Sequence, residues 1–204
     1  MKKVLITAFE PFDVWSTNSS WLTLVELTKD LPDTVEVTTR LYPVDFAQVQ
    51  QRLEADLETE FDVTLHLGQS SGATEFQLES IALNVASENK SGPFRKLVDD
   101  GPTAMESELP IHRFATTLRS AGIPASVSFH AGTYLCNAIF YLSSFIAKRN
   151  SMKTRCGFIH LPLTPSQTAN HRGEPLASMP APFMAGGLRL ILEEIARSTH
   201  GEMV

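Results

Sequence analysis

The sequence predicts an α/β fold, a three-layer α/β/α sandwich in which a mostly parallel, twisted sheet is flanked by helices, as one domain over 1–204. Two observations predict it. Short β-branched or apolar runs alternate along the chain with segments whose apolar residues recur at helical spacing, and parallel strands need such crossovers between them. The composition, 43% hydrophobic and 20% charged over 204 residues, supplies enough apolar material for one sizeable core.

The elements follow in order. Lys3–Phe9 reads as a buried first strand, and Asn18 with Ser19 marks the start of a helix reaching Lys29. Thr34–Tyr42 alternates β-branched and polar residues as a strand does. Asp45 then caps a helix whose stripe is Phe46, Val49, Leu53 and Leu57. Asp62–Leu67 is the next strand, Gly68-Gln69-Ser70-Ser71-Gly72 a turn, and Phe76–Val85 a further strand. Ser87–Thr103, rich in Gly, Pro, Asn, Lys and Asp, reads as a long surface loop. Ile111, Phe114 and Leu118 after Pro110 predict a helix ending near Gly122, followed by a strand at Ala125–Phe129. A helix at Tyr134–Lys148, a strand at Cys156–Leu161 and a last helix from Met184 to Ser198 complete the order. Open parallel sheets bind ligands at the carboxyl ends of their strands, which directs attention to the loops after Phe9, Leu67, Phe129 and Leu161.

Charge and motifs exclude several classes. The formal net charge of −6 is spread along the chain, so the basic footprint of a nucleic-acid binder is missing. No apolar stretch is long enough to span a bilayer, and the run after Lys2 and Lys3 is too short for a signal peptide. Cys136 and Cys156 form no C-x-x-C pair, which fits two reduced thiols in the cytoplasm better than a disulfide framework. His66, His112, His130, His160, His171 and His200 show no metal-ligand spacing, and no P-loop or dinucleotide fingerprint occurs, so no metal and no cofactor is expected.

Cys136 lies where a strand ends, Gly132 turns the chain and Thr133 is suited to cap the next helix, placing it in that helix's first turn. Unpaired N–H groups and the helix dipole stabilise a thiolate there and can hold an oxyanion on an attacked carbonyl. The competing reading is a small hydrophobe packed in the core, which is the better reading for Cys156 inside its apolar strand. His160, at a strand end closed by Pro162, is placed to act as a base, against the alternative of a satisfied core histidine. Glu79 interrupts an apolar run. Its residues alone leave open whether it orients the histidine or faces solvent, and the solvent reading is favoured. Gly68-Gln69-Ser70-Ser71-Gly72 also satisfies G-x-S-x-G, but a nucleophilic Ser70 would need a helix immediately afterwards, where a β-like run follows.

Four blocks together resemble the pyroglutamyl-peptidase I family of cysteine peptidases. They are Ala8-Phe9-Glu10-Pro11-Phe12 with Asn18 and Ser20; His66-Leu67-Gly68-Gln69; Glu79-Ser80-Ile81-Ala82-Leu83-Asn84-Val85; and Ala131-Gly132-Thr133-Tyr134-Leu135-Cys136-Asn137 with Gly157-Phe158-Ile159-His160-Leu161-Pro162. The resemblance implies a Glu79, Cys136 and His160 triad that removes N-terminal pyroglutamate from peptides. It further implies that Phe9 and Phe12 enclose the lactam ring, that Gln69 and nearby backbone groups recognise its amide, that Asn18 helps hold the site together, that Leu135 is also substrate-binding, and that the chain forms a homo-oligomer, a dimer or tetramer. Departures are glycine replaced by Ala8 and Asp13, the family's Asn-Pro-Ser replaced by Asn18-Ser19-Ser20, and the family's Asp-Ala-Arg and Ile-Pro-Asp-Asn replaced by the segment from Ala86 to Pro93. The altered segment, within 86–103, motivates a second expectation: a weakly catalytic relative that binds a pyroglutamyl or other lactam ligand as a sensor.

Overall fold

The computed structural model describes residues 1–88, 92–169 and 171–198. Residues 89–91 of the altered segment and His200 therefore lie outside the described residues. The elements run β1 (Lys2–Phe9), α1 (Ser19–Leu27), β2 (Val35–Tyr42), α2 (Phe46–Asp56), β3 (Val63–Gln69), β4 (Phe76–Glu79), β5 (Ile81–Leu83), β6 (Ala104–Glu106), α3 (Ile111–Ser120), β7 (Ala125–Ser128), α4 (Leu135–Arg149), β8 (Arg155–Leu161), α5 (Pro165–Thr168) and α6 (Ala181–Arg197).

Six strands form the main sheet in the order β2-β1-β3-β8-β4-β7. β1, β2, β3 and β8 are mutually parallel, whereas β4 lies antiparallel to β8 and parallel to β7. The alternation of strand side chains sorts the core onto the two faces. Val4, Ile6 and Ala8 with Val63, Leu65, Leu67, Ile159 and Leu161 pack under α1, α3 and α6. On the other face Phe158 packs with Leu135, Ile139 and Phe140 of α4 and with Val49 and Leu53 of α2. The expected three layers are thus present, with two strands of the sheet reversed.

The caps follow the sequence where a short polar side chain is available. Asn18 accepts from Ser20 N–H at the start of α1, and Asp45 accepts from Gln48 N–H at the start of α2. Two expectations are corrected. The single strand expected over Phe76–Val85 breaks at Ser80, whose N–H donates to Ser128 and whose carbonyl accepts from Ser107. Beyond the break β5 leaves the main sheet and pairs antiparallel with β6, at the end of the expected loop. Thr133 does not cap α4: Tyr134 occupies the N-cap position and no side chain caps the helix.

Candidate active site

β8 and β4 place the first pair. Their register sets Gln77 opposite His160 and Glu79 opposite Phe158, so Glu79 and His160 are diagonal neighbours on one face of the sheet. There His160 Nδ1 meets Glu79 Oε1 at 2.7 Å. A carboxylate can only accept, so Nδ1 carries the hydrogen and Nε2 is left for another partner. That face also receives α4, which brings Cys136 into its second position, within hydrogen-bonding reach of His160. Burial works against the imidazolium, but the facing Cys136 sulfur and the Glu79 carboxylate outweigh it and raise His160 to about 10. His160 is 9% exposed and Glu79 only 1% exposed, so the pair lies beneath the surface.

Close approach of α4 to β3 requires Gly68. A Cβ there would stand 2.8 Å from Cys136 Sγ and 2.6 Å from Phe158 Cζ. The absence of a capping side chain leaves the first N–H groups of α4 free of competition around the sulfur.

Phe9, Phe12, Asn18, Gln69 and Leu135 converge with Val44, Tyr134 and Cys136 around one narrow pocket. It opens into a cleft of about 890 Å³ lined also by His160, Ser87, Phe94 and His130. Asn18 holds one wall: its Nδ2 donates to Glu10 O at 3.0 Å while its Oδ1 accepts from Ser20 N–H and Oγ–H. Asp13, in the loop so closed, has φ 54°, a left-handed conformation that Asp tolerates and glycine adopts freely, in keeping with a glycine position. Gln69, at the end of β3, is 6% exposed. Its Oε1 accepts from Ser19 N–H at 2.8 Å and Gln167 Nε2–H at 2.6 Å.

Sequence reasoning missed Gln167. The signal was present in Thr164-Pro165-Ser166-Gln167, a Thr-x-x-Gln pattern with proline at the first helical position, which the structure realises as a capping box on α5. Ser70 lies at a turn that leads into β4 and not into a helix, so the elbow geometry is not formed. Cys156 is buried inside β8, and burial pushes its thiol up to about 11. Among the described residues no group of three or more His, Cys, Asp or Glu could hold a metal ion.

The pyroglutamyl peptidase family profile matches residues 2–198. The chain belongs to the pyroglutamyl peptidase family. A pyrrolidone-carboxylate peptidase of Pectobacterium carotovorum is 35% identical over 201 residues, covering 95% of this chain and 93% of that protein. The crystal structure of pyrrolidone carboxyl peptidase from Fervidobacterium islandicum superposes with a TM-score of 0.91 at 30% identity, covering 100% of both chains. The corresponding Thermococcus litoralis peptidase gives a TM-score of 0.86 at 31% identity over 95% of this chain and 92% of its own. Family membership thus agrees with the mostly parallel α/β sheet.

Proposed function

We infer that this protein is a cysteine peptidase that hydrolyses the amide bond after an N-terminal pyroglutamyl residue, with Cys136 as nucleophile, His160 as acid and base, and Glu79 as the group that orients the imidazole. The observation that carries this reading is the Glu79–His160 contact at 2.7 Å on the face where Cys136 opens α4, beside the pocket of Phe9, Phe12, Asn18, Gln69 and Leu135. A five-membered lactam has two apolar faces and one donor-acceptor edge, which suits two phenylalanines, a leucine and an amide.

In the reaction the Cys136 sulfur attacks the pyroglutamyl carbonyl, and the first-turn N–H groups of α4 hold the oxygen as it becomes negative. His160 Nε2–H passes its proton to the departing amine, releasing the shortened peptide. A water that gives its proton back to His160 then attacks the thioester, and free pyroglutamate leaves with the thiolate restored. Glu79 holds the ring in the tautomer that presents Nε2 throughout.

The deciding measurement is hydrolysis of a pyroglutamyl aminocoumarin amide. Activity is expected in the unaltered protein and in Cys156→Ser, with loss of at least about 10³-fold in Cys136→Ser. Retained turnover in Cys136→Ser would refute the assignment. No helix among the described residues is long and apolar enough to cross a membrane, and the two cysteines are free, which supports the cytoplasm as the place of action. Exposed Val14, Phe94 and Phe129 support assembly into a homo-oligomer, for which light scattering should give a mass at least twice that of the 22.5 kDa chain.

A further inference from the structure

Gln69 and Gln167 come from distant parts of the chain, the end of β3 and the short helix α5, yet their amides meet at 2.6 Å. Gln69 Oε1 takes two donors, from Ser19 and Gln167. The other end of that amide, Nε2, is buried without a hydrogen-bond partner among the described residues, on a side chain that lines the ring pocket. Gln167 has all of its own positions engaged. Its Oε1 accepts from Thr164 N–H at 2.8 Å and Thr164 Oγ1–H at 3.0 Å, and its Nε2 donates to Thr17 O at 2.9 Å as well as to Gln69.

A carboxamide keeps its shape when its oxygen and nitrogen are exchanged, so only its neighbours decide which end faces a ligand. Gln167 cannot be exchanged, because a backbone N–H needs its acceptor and a backbone carbonyl needs its donor. Gln69 cannot be exchanged either, because its NH₂ would then face two donors. Polarity is therefore set at the capped start of α5 and transmitted by Gln167 to Gln69, a pocket-lining side chain whose N–H donor is the end left without a partner.

We propose that Gln167 is a positioning residue for substrate selection: it fixes Gln69 so that Nε2 donates to the ring carbonyl of the pyroglutamyl group. This rests on the peptidase reading above. It gives the pocket a reason to prefer a ring bearing an acceptor over a proline-like ring with a methylene at the same place, since the methylene would leave the buried Nε2 without a partner.

The test is steady-state kinetics of Gln167→Glu on the pyroglutamyl aminocoumarin amide, with the double substitution Gln69→Ala/Gln167→Glu to close a cycle. A carboxylate at this position accepts only, so Gln69 must turn its NH₂ away from the pocket. KM should rise by roughly tenfold or more with kcat changed less than about threefold, the signature of binding lost equally before and during reaction. In the Gln69→Ala background the same substitution should change KM by less than about twofold, a non-additivity that a merely structural role would not give. Gln167→Met, which keeps the volume and folds without a new charge, should raise KM about threefold by loosening the amide. Alkylation of Cys136 should be unaffected in all of them. Unchanged KM in Gln167→Glu and Gln167→Met, or penalties that multiply in the double substitution, would overturn the inference while normal wild-type turnover leaves the peptidase reading standing. Absence of turnover in the unaltered protein would overturn both.

Discussion

At the scale of single residues, the site is governed by which charge faces which ring. His160 keeps its proton well above the ordinary imidazole range because Cys136 and Glu79 face it, against a burial effect of opposite sign. Removing the Glu79 charge in Glu79→Gln withdraws one raising contribution, so the proton that the proposed reaction gives to the leaving amine comes off at lower pH. The alkaline limb of the kcat/KM profile should move down by about one unit and kcat should fall by about 10²-fold, since the amide can also present its NH₂ and favour the wrong tautomer. An alkaline limb at the same pH in the variant would show that Glu79 does not act on His160. The places of Cys136 and His160 in the fold were legible in the sequence because a helix start and a strand end are local signals. Glu79 was not: a polar residue alternating with Phe76 and Leu78 looks like the wet side of an edge strand, and its partner lies 81 positions away on a strand whose neighbour no local pattern names.

At the scale of elements, the constraint is how closely α4 can sit on the sheet. β3 and β8 bring Gly68 beside His160, and the helix start rests on that glycine. In Gly68→Ala the added methyl would meet Cys136 Sγ at 2.8 Å and the Phe158 ring at 2.6 Å, so α4 must shift outward. Overpacking of this kind costs about 1–3 kcal/mol. Activity should fall further than stability, by about 10²-fold, because a displacement of the proposed nucleophile by less than 1 Å is felt in attack geometry. Urea unfolding and the coumarin assay on the same preparation would separate the two, and a variant with full activity would show that α4 does not depend on Gly68. The order of strands and helices was readable from the alternation of periods. The reversal of β4 and β7 and the departure of β5 to pair with β6 were not, because Ser80 breaks the strand through partners supplied by Ser107 and Ser128, both remote in sequence. Thr133 looked like a cap by residue type, yet the chain enters α4 one residue later, and the uncapped amides that result are those the proposed reaction uses.

At the scale of the whole molecule, two buried histidines give the fold opposite responses to pH in separate windows. His66, in β3, has Nδ1 at 2.8 Å from Thr7 Oγ1 and is held neutral, burial lowering it to about 3 from 6.5. The unfolded chain takes up a proton below 6.5 that the native state cannot, so the stability due to His66 is complete above pH 6.5 and is lost as pH falls towards 3. His160 behaves in the other sense: its raised value makes the native state the better proton binder, a contribution complete below 6.5 and lost as pH rises through about 10. Between pH 7 and pH 5 the His160 contribution still grows, by up to about 1 kcal/mol, as the unfolded imidazole passes through 6.5, while that of His66 declines by about 2 kcal/mol, and the carboxylates have barely begun to titrate. Urea unfolding should report a net loss of about 1 kcal/mol across that interval in the unaltered protein. In His66→Asn the baseline stability should be lower, through the altered contact with Thr7, but the loss should vanish and give way to a gain of up to about 1 kcal/mol, since no group remains at this position to charge and the His160 contribution stands alone. Equal losses in both proteins would mean that His66 reaches solvent and protonates in the native state, in conflict with its burial between β1 and β8 on the face that carries Phe158.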